Sequence, residues 1–182
     1  MSRTSLVVFH KNVAAMDATY SNASGLAFMI WNAVCHRYVN IIAPKHDIFK
    51  PLNCLQLLPE MCRLQHEGKL PLRHWERTCF LFTLDGAVSR NLLALAEAMY
   101  KFEDAHSQPG YVCHLPAAAK RLNQLAASGT RAVALYANSV GENHWIRFQE
   151  GENEDGTLWE REVHYDLDTM QEHFYIEDDL KG

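Results

Sequence analysis

The period of the hydrophobic pattern changes at Gly129, and that change constrains the fold of this 182-residue chain more than any other feature. Before Gly129, apolar residues recur at helical spacing; after it, they alternate. Within 24–42, Leu26, Met29, Ile30, Ala33 and Val34 share one helical face, with Ser21, Asn22 and Ser24 suited to cap the start and Pro44 to end the segment. Residues 52–66 predict a shorter helical stretch interrupted by Pro59. Residues 78–84 fit a buried strand or a helix, and Asp85-Gly86 then breaks the chain. Residues 87–105 give the clearest amphipathic helix, with Leu92, Leu95, Ala96, Met99 and Phe102 on one face and Pro109-Gly110 as its stop. Residues 116–127 read as an Ala-rich helix closed by Gly129.

Beyond that point, 131–138, 143–149, 158–166 and 172–177 read as strands, with a turn at Gly141-Glu142. The polar stretch Glu150 to Thr157, containing Asp155-Gly156, reads as a hairpin loop. Residues 5–9 form one further short strand. Helices first and an antiparallel sheet afterwards predict an α+β domain. The length fits a single domain over 1–182.

Composition narrows the function classes. A net charge of −5 argues against nucleic acid, because phosphate binding needs a basic surface. No apolar run reaches the roughly 18 residues needed to span a bilayer. The first ten residues lack the apolar core and small-residue cleavage site of a secretory signal peptide. The cysteines are Cys35, Cys54, Cys62, Cys79 and Cys113; an odd number with mostly apolar flanks suits buried free thiols in a reducing compartment. Cys35-His36 and Cys113-His114 lack the paired spacing of a structural zinc site.

One constellation has chemical content: Ser24 at a helix start, His144 on a strand, and Asp166 at the end of the strand expected to pair with it. A thiol nucleophile is favoured at a helix N-terminus, where unpaired amides and the dipole stabilise negative charge. Gly25 leaves room for substrate to approach the backbone, and the amide there could help form an oxyanion hole. The imidazole of His144 would serve as base, and Asp166 would hold it in the useful tautomer. Asp17 and Asn22, just upstream, are candidates to orient an oxyanion-hole dipole, although Asn22 serves equally as a helix cap. Trp31 reads as core packing. Cys35 and Cys113 are the rival nucleophiles, and neither has motif support.

At these residues the chain resembles the YopT/AvrPphB family of papain-like effector proteases. Ser24-Gly-Leu-Ala-Phe-Met-Ile-Trp31 is similar to the family segment in which a catalytic cysteine opens a helix and a tryptophan follows two turns later. Glu142-Asn-His144-Trp-Ile resembles the family's histidine strand, and Tyr165-Asp166-Leu-Asp-Thr-Met-Gln-Glu172-His-Phe-Tyr its aspartate segment. The separations, about 120 and then about 22 residues, are also similar. Two departures stand out: Leu167 follows Asp166 where the family has proline, and Ser24 stands where it has cysteine. A deliberate Cys-to-Ser replacement, a chance match with Ser24 as a cap, and a natural serine nucleophile or dead enzyme remain open.

The resemblance implies a papain-like α+β fold, with a helical N-terminal part carrying the nucleophile and a C-terminal antiparallel sheet. It implies a cysteine protease acting on a protein of a host or target cell, with Ser24, His144 and Asp166 as catalytic residues and no metal or organic cofactor. It also implies a bacterial effector delivered into another cell without a cleavable signal peptide. A glutamine deamidase or cell-wall amidase would use the same triad. A non-catalytic binding module, using the C-terminal sheet or the acidic loop, is the reading from a different class.

Overall fold

The computed structural model describes residues 3–10, 13–21, 25–84, 87–107, 114–138 and 146–164. Strands β1 (Arg3–His10) and β2 (Val13–Ser21) are followed by helices α1 (Leu26–Arg37), α2 (Val39–Ile42), α3 (Cys54–His66) and α4 (His74–Phe82). Strand β3 (Val88–Ser89), helices α5 (Leu92–His106) and α6 (Leu115–Ala127), and strands β4 (Ala132–Asn138), β5 (Ile146–Glu152) and β6 (Leu158–His164) complete the order. The fold mixes helix and sheet. Among the described residues its main sheet is antiparallel throughout, in the order β2-β1-β4-β3, and β5-β6 is a separate two-stranded hairpin.

This order corrects the helix-first expectation. The chain opens with a β-hairpin, and β1 takes an inner position between β2 and β4. Its alternation explains the placement. Leu6 and Val8 join the large cluster under the helices, whereas Val7 and Phe9 join a second cluster with Ala132, Ala134 and Tyr136. A strand apolar on both faces belongs inside a sheet.

Strand β2, absent from the sequence expectation, carries an irregularity. Leu6 pairs with Ala18 and Val7 with Met16, which leaves Asp17 as the extra residue of a bulge. The bulge inverts the phase. Ala14 belongs to the second cluster, while Tyr20, on the same parity, packs with the helices. The extra residue has a partner: Arg121 on α6 grips the Asp17 carboxylate through Nε at 2.8 Å and Nη2 at 2.5 Å. Asp17 is thereby committed to a strand-to-helix tie rather than to an oxyanion hole.

The helices follow their sequence signals with three corrections and one alternative resolved. The 24–42 segment divides at Tyr38 into α1 and α2. Pro59 does not interrupt α3: the Asn53 cap to the Gln56 amide and buried Met61 and Leu64 hold the helix against the lost ladder bond and the ring's clash with the preceding turn. The ambiguous 78–84 stretch belongs to helix α4, whose buried Cys79, Phe80 and Phe82 face the core. Val88 and Ser89, expected to be helical, pair instead with β4, and α5 begins after the Asn91 cap.

The C-terminal hairpin matches expectation in pairing. Strands β5 and β6 run antiparallel from Ile146↔His164 to Glu152↔Leu158, so β5 extends into the stretch read as loop. The turn is closed by Asn153 N–H to Thr157 O at 2.9 Å and by Gly156 at φ +80°, a backbone angle that favours glycine. The last expected strand, 172–177, and the turns at Asp85-Gly86, Pro109-Gly110 and Gly141-Glu142 lie outside the described residues. Among the described residues, no helix is long and apolar enough to cross a membrane.

Candidate functional site

Ser24, His144 and Asp166 lie outside the described residues, as do Asn22 and Cys113. Their flanks are described. Gly25 is the N-cap of α1, with φ −64° and ψ 137°, and its carbonyl accepts the first helical bond, from Met29 N at 3.0 Å. The amides of a helix's first turn have no intrahelical acceptor, so this end of α1 presents donors and the positive end of the dipole. The helix beyond is firmly seated. Leu26, Ala27, Met29, Ile30, Trp31, Val34 and Cys35 are buried. Trp31 is a core residue, and its indole Nε1 donates to Thr83 Oγ1 at 2.7 Å.

The sheet relates the first two flanks. Ser21 ends β2 and pairs with Arg3, and Arg3 pairs on its other side with Asn138, which ends β4. Strands in a ladder are about 4.8 Å apart, so Ser21 and Asn138 stand roughly 10 Å apart at one end of the sheet. Residues 22–24 follow Ser21, and residues 139–145 follow Asn138. The hairpin relates the second and third flanks, because Ile146 pairs with His164. His144 precedes that pair by two residues, and Asp166 follows it by two.

A cavity of about 510 Å³ opens beside α1. Met29, Asn32, Ala33 and His36 line it at spacings of three and four residues, which is one face of the helix. Phe102, His106 and Leu115 form part of the opposite wall. Met29 lies one helical turn from Gly25.

At the far end of this cavity stands a polar cluster that the sequence reading missed. Glu76, fully buried, accepts from Tyr38 Oη at 2.5 Å, from the Arg73 amide at 2.9 Å and from His106 Nε2 at 3.1 Å; Arg37 Nε lies 3.4 Å away. Burial pushes the Glu76 carboxyl up, but these donors and the Arg37 charge outweigh it and hold the group below its ordinary range. Burial also lowers the His106 pKa, against the pull of Glu76. Both directions favour a neutral imidazole beside a carboxylate at neutral pH. The ring is seated by Phe102 at 4.4 Å and Trp75 at 5.9 Å between centroids. The sequence signal was Glu76 three residues after Arg73, the spacing at which a side chain caps its own helix. Nothing local pointed to His106, which arrives from 30 residues away.

The rival thiol on α1 is poorly suited to nucleophilic work. Cys35 is buried, and desolvation, reinforced by Cys54, pushes its pKa up to about 11. Cys79 is buried and pushed up further, first by burial and then by Glu76. A reactive thiol needs the opposite environment. Among the described residues, no group of three or more His, Cys, Asp or Glu side chains is disposed to hold a metal ion.

The chain matches no protein-family model, no curated protein and no solved structure.

Proposed function

We propose that the chain is a papain-like acyl-transfer hydrolase of the YopT/AvrPphB type, with position 24 as nucleophile, His144 as base and Asp166 as the residue that orients it. The observation that carries this reading is a pair of strand-end pairings, one in each sheet, that flank the proposed residues. Ser21 and Asn138 end neighbouring positions across Arg3, and Ile146 and His164 close one end of the hairpin. Each proposed residue lies within six residues of one of these ends.

In the proposed reaction, the side chain at position 24 attacks a carbonyl carbon of an amide. His144 takes the nucleophile's proton and delivers it to the departing amine, leaving an acyl-enzyme. Water, deprotonated by His144, then releases the acid and restores the nucleophile. Asp166 stabilises the imidazolium formed in each half. The first-turn amides of α1 supply donors for the developing oxyanion. The cavity starting at Met29 offers a seat for an apolar substrate side chain. Protein cleavage is the preferred reaction, on a substrate met after delivery from a bacterium into another cell; glutamine deamidation uses the same steps.

A hydroxyl is far less acidic than a thiol, so Ser24 in such a site leaves little activity. The test compares Ser24→Cys with the unaltered chain, using an electrophilic thiol probe and mapping the labelled peptide. The reading expects labelling at position 24 of the variant, and loss of that labelling when His144→Ala is added. Absence of labelling at position 24 of the variant, or labelling traced to Cys35, overturns it. Ammonia release from a glutamine peptide, against cleavage of an unfolded protein, separates deamidase from protease.

A further inference from the structure

The α2–α3 connection presents two apolar side chains in an ordered turn. Ile48 is 84% exposed and Phe49 is 91% exposed, the highest values among the large hydrophobic side chains of the described residues, with Leu158 equal to Ile48. The turn is braced from within. The Asp47 carboxylate accepts from the Phe49 amide at 3.1 Å, the Asp47 carbonyl accepts from the Lys50 amide at 2.9 Å, and His46 Nε2 lies 3.2 Å from the Lys50 carbonyl. An Asx turn of this kind fixes the backbone and aims the following residues outward. Side by side at a fixed tip, the isoleucine and phenylalanine form a contiguous exposed apolar patch of the kind that contacts a partner or a membrane.

Charge identifies the cover. Arg37 is engaged by Glu76, so the charged side chains of the turn itself are Lys45 and Lys50 against Asp47, a local balance of +1 in a chain of net −5. Lys45 and Lys50 bracket the apolar pair. A two-residue tip buries too little area for a specific protein interface, which needs on the order of 1,200 Å². A lipid surface needs no matching pocket; it takes isolated apolar side chains at the acyl boundary and lysines among its phosphates.

We propose that the 45–50 turn docks the protein on an anionic lipid surface, with Ile48 and Phe49 inserted and Lys45 and Lys50 against the headgroups. This inference is independent of the catalytic reading. The test is co-sedimentation of the full chain with vesicles of phosphatidylcholine alone and of phosphatidylcholine with 30% phosphatidylserine. Binding is expected to the anionic vesicles, weaker on neutral ones, and reduced at 0.5 M salt. Ile48→Ser combined with Phe49→Ser is expected to lower partitioning at least about tenfold, with the thermal midpoint unchanged because both side chains lie in solvent. Lys45→Glu with Lys50→Glu is expected to abolish the preference for anionic lipid. A chain that stays in the supernatant with anionic vesicles, a double serine variant that sediments like the parent, or release by soluble glycerophosphoserine overturns the proposal.

Discussion

Trp31 and Thr83, 52 residues apart, share a buried 2.7 Å hydrogen bond that ties α1 to the end of α4. Thr83 Oγ1 also donates to the Phe80 carbonyl at 2.7 Å, so one hydroxyl serves both helices. Thr83→Val keeps the volume and removes the acceptor, leaving the indole N–H dry and unpaired. A loss of about 1–3 kcal/mol in urea unfolding is expected. Thr83→Ser keeps the hydroxyl and is expected to recover most of the loss.

Glu76 joins three helices through one carboxylate. Replacing it with alanine leaves Tyr38, His106 and the Arg73 amide without their acceptor and Arg37 without its counter-charge. Breaking a buried charged cluster from one side costs about 3–5 kcal/mol. Equilibrium denaturation of Glu76→Ala should show a loss of that size, and Glu76→Gln a smaller one.

The same cluster sets a pH dependence. The folded His106 pKa lies below its ordinary value, so the unfolded chain binds the proton first. Stability from this group is complete above about pH 6.5 and falls as the solution is acidified through that value. Glu76, also held low, adds a second loss at more acid pH. The thermal midpoint should drop between pH 7.5 and pH 5, and His106→Gln should flatten that part of the profile relative to the parent.

Thiol accessibility gives a fourth expectation. Cys35, Cys54 and Cys79 are buried, whereas Cys62 is partly exposed on α3. With its pKa near 11, Cys35 carries a thiolate fraction of roughly 10⁻⁴ at pH 7. Brief alkylation of the native chain at neutral pH, followed by peptide mapping, should modify Cys62 ahead of those three, and all four only after unfolding.

Periodicity exposed the elements that bury one clean face. Helix α5, helix α6 and strand β4 lie close to where their patterns put them, because nothing interrupts the 3.6-residue or two-residue period. Strand β2 was hidden because the bulge at Asp17 reverses which parity faces the helices, and its alanines carry little strand preference. Its signal was there: Lys11 and Asn12 are the two residues between a pair of strands, the commonest hairpin spacing. The Glu76 cluster was illegible for another reason. It gathers residues 37, 38, 73, 76 and 106, whose proximity is a product of helix packing and leaves no mark on any one window.

The inner place of β1 carries a cost in time. Its hydrogen-bonding partner on one side, β2, is made at once; its partner on the other, β4, begins 123 residues after Phe9, to which Ala132 pairs. At a synthesis rate of about 5–20 residues per second, the nascent hairpin waits on the order of ten seconds with one edge unsatisfied. During that interval Val7 and Phe9 have no β4 to cover them, and another chain's strand fits the same gap. Close spacing of ribosomes on one message brings such unfilled gaps on neighbouring chains within reach of one another.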